Sequence, residues 1–389
     1  MPTSPEFSRP WVLVTGDFVL TGGMDRANYA LADYLSRQNF ETHLVAHRVA
    51  PELSARTGVQ WHRVAKPLNS YLLGEPLLSR RGRTLARRLS RRGANILVNG
   101  GNCPWPGLNW AHYVHAAYHR QPARAGWALQ AQYAYDRWHA LRMEARSWRQ
   151  ARIVIANSER TRSDLIARAG VPPGRIRVVY YGIDPGRFAP AENAERAVLR
   201  RDLGWPQAAR VVIFIGALGD QRKGFDVLFH AWRQLPRLAD SNLQLMVVGS
   251  GREQQSWRRQ LRLQGLESEI RFLGFRSDVP TLLRAADLLV SPARYEAYGL
   301  GVHEALCCGL PAIVSATAGV AEKFSSQLGP LLLPDSEDTA GLTDRLMLWL
   351  RNMNHWRDAA RELSVHLRRR TWDVMAAEII QLALRQNSV

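Results

Sequence analysis

Ser291-Pro292-Ala293-Arg294-Tyr295-Glu296-Ala297-Tyr298-Gly299-Leu300-Gly301-Val302-His303-Glu304-Ala305 is the stretch from which the rest of the chain becomes readable. The apolar run at 288–291 predicts a buried strand, a turn follows, and Gly299 or its neighbour opens a helix running toward Cys308. Such a helix mouth presents unpaired backbone N–H groups, and the helix dipole favours an anion there. A diphosphate fits the description. Glu296 stands just before the helix and Glu304 inside it, with seven residues, 297 to 303, between them. One carboxylate can meet a sugar while the other, over a turn deeper, accepts charge-assisted hydrogen bonds from ribose hydroxyls.

The same strand–turn–helix unit recurs in both directions. Runs rich in Val, Ile and Leu at 11–15, 42–46, 95–99, 111–115, 152–156 and 177–180 predict strands of one sheet, with a helix over 24–36. A second series follows at 211–215, 245–248, 270–273, 288–291 and 312–315. Between them, 184–206 is rich in proline and glycine and carries no strand-like run. The expected fold is α/β, two doubly wound Rossmann-like domains facing each other across a cleft. The first spans 1–185, a linker 186–206, the second 207–370, and a C-terminal helix 371–389. Open parallel sheets bind ligands beyond the carboxyl ends of their strands, so the loops there are the candidate sites.

Length and composition agree. A chain of 389 residues suits two α/β domains, and an apolar fraction of 46% excludes disorder as the main theme. No apolar run approaches the roughly 18 residues that span a bilayer, and residues 1–9 lack a signal-peptide segment, which points to the cytoplasm. Cys103, Cys307 and Cys308 have no metal-ligand spacing and read as reduced thiols. The formal charge of +18 concentrates in arginine clusters, notably over 77–92. That segment is either a basic amphipathic helix able to touch an anionic membrane or a solvated helix feeding the strand at 95–99. No nucleic-acid recognition motif accompanies it.

Further candidates sit at other strand ends. In Gly219-Asp220-Gln221-Arg222-Lys223-Gly224-Phe225-Asp226, two cations between strand and helix can neutralise donor phosphates; the alternative is that Arg222 pairs with Asp220 or Asp226. Gly22 and Gly23 of Thr21-Gly22-Gly23-Met24-Asp25-Arg26 let backbone approach a ligand closely. Gly249-Ser250-Gly251 lacks a third glycine, because position 254 is Gln254, which argues against a dinucleotide-binding oxidoreductase. Arg160 follows the strand at 152–156 and reads better as a surface residue than as a ligand.

Glu296-Ala297-Tyr298-Gly299-Leu300, Glu304-Ala305, Gly309-Leu310-Pro311, Lys223-Gly224 and Gly22-Gly23-Met24 together resemble the retaining glycosyltransferases of family 4, which have the GT-B fold. The resemblance covers most of residues 10–370. It implies sugar positioning by Glu296, ribose binding by Glu304, and leaving-group stabilisation by Lys223 with Arg222. It implies donor contacts at Gly251, at Arg276 in the nucleobase-side loop, and at Ala297, Tyr298, Gly299 and Leu300. It also sets a histidine against the donor sugar, for which His115 is the choice over His112 and His119. The family's arginine after the strand glycine is missing, since Ala217 stands there, and Arg222 is the substitute candidate. The implied activity is transfer of a hexose from a UDP- or GDP-linked donor to a hydroxyl of a glycan, lipid-linked or small-molecule acceptor, in polysaccharide or glycolipid synthesis. Neither cofactor nor metal is expected, because no Asp-x-Asp motif, metal-type Cys/His cluster or phosphate-loop Gly-Lys-Ser/Thr occurs. The rival readings are a GT-B phosphorylase or epimerase, and a basic membrane-surface or nucleic-acid-binding protein.

Overall fold

The structure is a computed structural model and describes residues 9–118, 127–219, 221–236 and 242–386. The chain divides into two compact units, Met1–Gly182 with Thr371–Val389, and Ile183–Arg370.

Unit 1 contains β1 (Trp11–Val14), β2 (Asp17–Phe18), α1 (Gly23–Arg37), β3 (Thr42–Ala46), β4 (Arg48–Val49), α2 (Pro51–Ser54), β5 (Val59–Arg63), α3 (Tyr71–Ser90), β6 (Asn95–Asn99), β7 (Leu108–Ala111), α4 (Trp127–Gln150), β8 (Ile153–Ala156), α5 (Glu159–Ala169) and β9 (Ile176–Val178). Seven strands form one parallel sheet in the order β5-β3-β1-β6-β7-β8-β9, while β2 pairs with β4 alone. Every residue of β1, β3, β6 and β7 is buried, as expected where helices cover both faces. The edge strand β5 was not expected from the sequence: Val59-Gln60-Trp61-His62-Arg63 is half exposed and lacks an apolar run. The strand expected at 111–115 lies earlier, because Leu108, Trp110 and Ala111 fill the core, and His115 begins a short 3₁₀ turn instead.

Glycine sets how closely α3 packs. A Cβ at Gly82 would lie 2.7 Å from Val14 Cγ1, so the helix rests on β1 at a separation that no side chain permits. The C-terminal helix Trp372–Gln386 belongs to unit 1, where Asp373 accepts hydrogen bonds from Arg37 at 3.1 and 2.5 Å.

Unit 2 contains α6 (Asn193–Asp202), β10 (Arg210–Ile215), α7 (Phe225–Gln234), β11 (Leu243–Val248), α8 (Gln254–Leu263), β12 (Ile270–Gly274), α9 (Val279–Ala285), β13 (Leu288–Ser291), α10 (Leu300–Cys307), β14 (Ala312–Ser315), β15 (Leu332–Leu333), α11 (Thr339–Arg351) and α12 (Met353–Leu367). Its six strands are parallel in the order β12-β11-β10-β13-β14-β15. The stretch 186–206 falls within unit 2. It holds α6, and Arg200, 2% exposed, donates to Asp287 at 2.5 Å and to the carbonyls of Ala285, Gln207 and Ala209. Proline and glycine flank that helix rather than dissolve it. All three cysteines are free and buried, and burial pushes the Cys103 and Cys308 thiols up to about 12. Among the described residues no helix is long and apolar enough to cross a membrane.

Candidate functional site

In the unit 2 sheet the chain order reverses at β10, which lies between β11 and β13. The loops leaving β10 and β13 meet there, and this is the crevice position where open parallel sheets bind ligands. Gly224, at φ +71°, ends the β10 loop and caps α7. A Cβ on it would fall 2.0 Å from the Pro292 carbonyl oxygen, so only glycine lets the two loops close on each other. Arg294 then ties them: its guanidinium donates to both Asp226 carboxylate oxygens at 2.8 and 2.7 Å and to the Gln221 carbonyl at 2.5 Å. Glu337 accepts from the same guanidinium at 2.5 and 2.8 Å. In the sequence the signs of this clamp are an arginine three residues past β13 and an acid in the first turn of α7.

The clamp brings the expected charges together. Lys223 Nζ bonds Glu296 Oε2. Arg222 Nη1 stands 3.8 Å from the same oxygen and donates to the Tyr295 carbonyl at 3.1 Å. Arg222 therefore turns toward Glu296 rather than toward Asp226, which Arg294 occupies; Asp220 lies outside the described residues. Burial acts to push the Glu296 carboxyl up, but Lys223 and Arg222 outweigh it and hold the group below its ordinary value.

Gly299, at φ +103°, opens α10, and a Cβ there would press on Val320 at 2.9 Å and Glu296 at 3.2 Å. Ala297, Tyr298 and Leu300 beside it are buried, and Glu304, 5% exposed, sits in the second turn of the helix. His303 Nδ1 shares a hydrogen bond of 2.9 Å with the Tyr298 hydroxyl, and burial first, then Lys323 and Arg370, drives its pKa down to about 3. It is a neutral imidazole that fixes Tyr298.

The loops after β11 and β12 adjoin this crevice. Gly249 N–H donates to the Gly274 carbonyl at 2.8 Å, and a Cβ at Gly251 would collide with the Leu218 carbonyl at 2.2 Å. Arg276 pairs with Asp278 at 2.5 Å.

Three expected residues belong to unit 1. Gly22, at φ +84°, caps α1, which begins at Gly23. Asp25 in that first turn has its carboxyl raised to about 7 by burial and by Asp17. His115 is half exposed, and its Nδ1 and backbone N–H bond Glu144 at 2.7 and 3.1 Å. Burial would lower the His115 pKa, and Glu144 raises it above the ordinary value. His112 is instead a core residue, bonded to the Tyr181 hydroxyl at 2.5 Å and lowered to about 3 by burial. His119 lies outside the described residues. Arg160 pairs with Asp164 at 2.8 Å. Among the described residues no three His, Cys, Asp or Glu side chains are grouped to hold a metal ion.

Two Rossmann-like parallel-sheet units, the second with cations and a carboxylate at its switch point, define the GT-B class. Sucrose-phosphate synthase from Thermosynechococcus elongatus has the same fold, with a TM-score of 0.78 at 21% identity over 98% of this chain and 99% of that one. Anabaena HepE, solved in complex with UDP and glucose, gives 0.71 at 19% identity over 98% of this chain and 100% of that one. The family described as Glycosyl transferases group 1 matches residues 195–363, and Glycosyltransferase Family 4 matches residues 21–187. The chain belongs to the family-4 type of GT-B glycosyltransferases.

D-inositol 3-phosphate glycosyltransferase from Salinispora arenicola is 34% identical over 203 residues, 48% of this chain and 44% of the relative. Mannosylfructose-phosphate synthase from Agrobacterium fabrum is 30% identical over 187 residues, 46% of this chain and 40% of the relative. The chain thus spans about half or less of the length of the curated relatives it matches.

Proposed function

We propose that the protein transfers a hexose from a nucleoside-diphosphate sugar, UDP- or GDP-linked, to an acceptor hydroxyl with retention of anomeric configuration and without a metal. The observation that carries this reading is the gathering of Lys223, Arg222 and Glu296 at the unit 2 switch point, beside the mouth of α10. Lys223 and Arg222 take the charge that builds on the departing diphosphate, and the first N–H groups of α10 add to it. Glu296, bonded to Lys223 here, passes to the sugar hydroxyls when the donor binds. Glu304 takes the ribose. The bond from the anomeric carbon to the diphosphate breaks, the acceptor oxygen bonds to the same face, and the acceptor proton goes to the leaving phosphate oxygen. No protein nucleophile is needed.

A phosphate-bearing small molecule joins glycans and lipid-linked sugars as an acceptor class, since the two relatives above carry phosphorylated compounds in their names. Contact with an anionic membrane at its cytoplasmic face is supported by α3, which exposes Tyr71, Leu73 and Leu77 beside its arginines.

The test incubates the full chain with UDP- and GDP-hexoses and an acceptor panel, following nucleoside-diphosphate release and the anomeric proton of the product by NMR. Acceptor-dependent formation of the retained anomer, abolished in a Lys223→Ala/Glu304→Ala variant, is the expected result. Full transfer by that variant, or turnover that yields only an epimer or a sugar phosphate, overturns the proposal.

A further inference from the structure

Helix α3 carries Arg80, Arg83 and Arg87, spaced at i, i+3 and i+7, so the three share one face. That face is held in place from behind: Leu78, Leu85, Ala86 and Leu89 are buried, and Gly82 seats the helix on β1. Opposite stands α4, with His139, Met143 and Arg146 at i, i+4 and i+7. The two stripes enclose a cavity of about 480 Å³, and all of its lining residues fall in unit 1.

The four guanidinium groups in its wall carry no ion pair among the described residues. Both acids nearest in the fold are otherwise placed. Glu144 is bonded to His115, and Glu75 lines the cavity at its other end, about 8 Å along α3 from Arg80 and about 18 Å from Arg87 at 1.5 Å per residue, where it lies 3.7 Å from His139. Like charges lining one cavity repel, and a multiply charged anion removes that repulsion. Guanidinium is also the group best matched to phosphate oxygens, and Thr84 and Ser79 supply hydroxyls in the same wall.

We propose that the cavity between α3 and α4 is a binding site for a ligand bearing two or more phosphate groups. The charge is concentrated at the Arg80–Arg87 end, and the Glu75–His139 end suits hydroxyl groups of the rest of the ligand. The site is separate from the donor residues of unit 2, and it does not depend on the sugar-transfer reading.

The test is calorimetric titration of inorganic pyrophosphate into the full chain carrying Arg222→Ala/Lys223→Ala, which keeps the unit 2 residues out of the signal. Within that background, Arg83→Glu/Arg87→Glu and, from the facing helix, Arg146→Glu should each weaken binding by about tenfold or more, the loss expected from one or two charge-assisted hydrogen bonds. Arg88→Glu/Arg91→Glu makes the same charge change beside the cavity and should leave the affinity within about twofold. Thermal melting of each variant checks folding, and the α3 and α4 variants check each other. Equal losses in all three variants would mean a general basic field, and no loss in the cavity variants would mean no site; either result overturns the proposal. Co-sedimentation with vesicles of cardiolipin, whose headgroup carries two phosphates, in phosphatidylcholine separates the sources. A lipid headgroup predicts that Arg83→Glu/Arg87→Glu loses vesicle binding beyond Arg88→Glu/Arg91→Glu, whereas a soluble phosphate predicts equal vesicle binding with the pyrophosphate difference retained.

Discussion

Glu296 meets Lys223 across 73 residues of sequence, and its carboxyl is held below the ordinary value because two cations overcome the cost of burial. The sign of its pH dependence follows. A carboxyl held below its ordinary 4.5 contributes stability above about pH 4.5, and the contribution is lost as pH falls through the depressed value. The difference in Tm between the wild type and Glu296→Gln should therefore be full near neutral pH and close below about pH 4.5. A difference that stays constant across that range would contradict the ion pair. The sequence identified Glu296, Lys223 and Arg222 by type and position, but not the partner of each. Arg222 had two acids nearby in sequence, and only the folded loops show that Arg294 has taken Asp226.

At the scale of elements, glycines decide how near two loops or a helix and a strand can come. Gly224 and Gly265 both have left-handed backbone, at φ +71° and +64°, yet Gly224 faces the Pro292 carbonyl and Gly265 has nothing within 4 Å. Alanine costs each about 1 kcal/mol in backbone strain, and at Gly224 the clash adds about 1–3 kcal/mol. Gly224→Ala should thus melt at least about 2–4 °C below Gly265→Ala. Equal Tm values would show that the β10 and β13 loops are not pressed together as described. Strands buried on both faces were legible as continuous apolar runs, as at Thr42–Ala46, Asn95–Asn99 and Leu288–Ser291. The edge strand Val59–Arg63 was not, because solvent on one side removes the apolar signal. The α6 helix was hidden for a different reason. Its stability comes from Arg196 and Arg200 bound to Asp287, a contact spanning up to 91 residues that no local pattern reports.

For the whole molecule, the formal charge of +18 says that anions are attracted but not where they stop. The structure distinguishes two places: the Lys223–Arg222 pair in unit 2, engaged with a carboxylate, and the arginine-lined cavity of unit 1. The meeting of Lys223, Arg222 and Glu296 was legible because these residues sit at strand ends in a fixed order along the chain. The cavity was not, because its arginines face each other from helices that are far apart in sequence. The central claim is that the unit 2 site grips a nucleoside diphosphate through Lys223 and Arg222, and thermal melting with UDP, GDP and ADP tests it most directly. At least one of the three should raise the wild-type Tm with concentration, since a ligand that binds only the folded chain stabilises it, and Lys223→Ala/Arg222→Ala should lose that rise. A double variant that shifts as the wild type does, or a wild type that no nucleoside diphosphate shifts, would contradict the account.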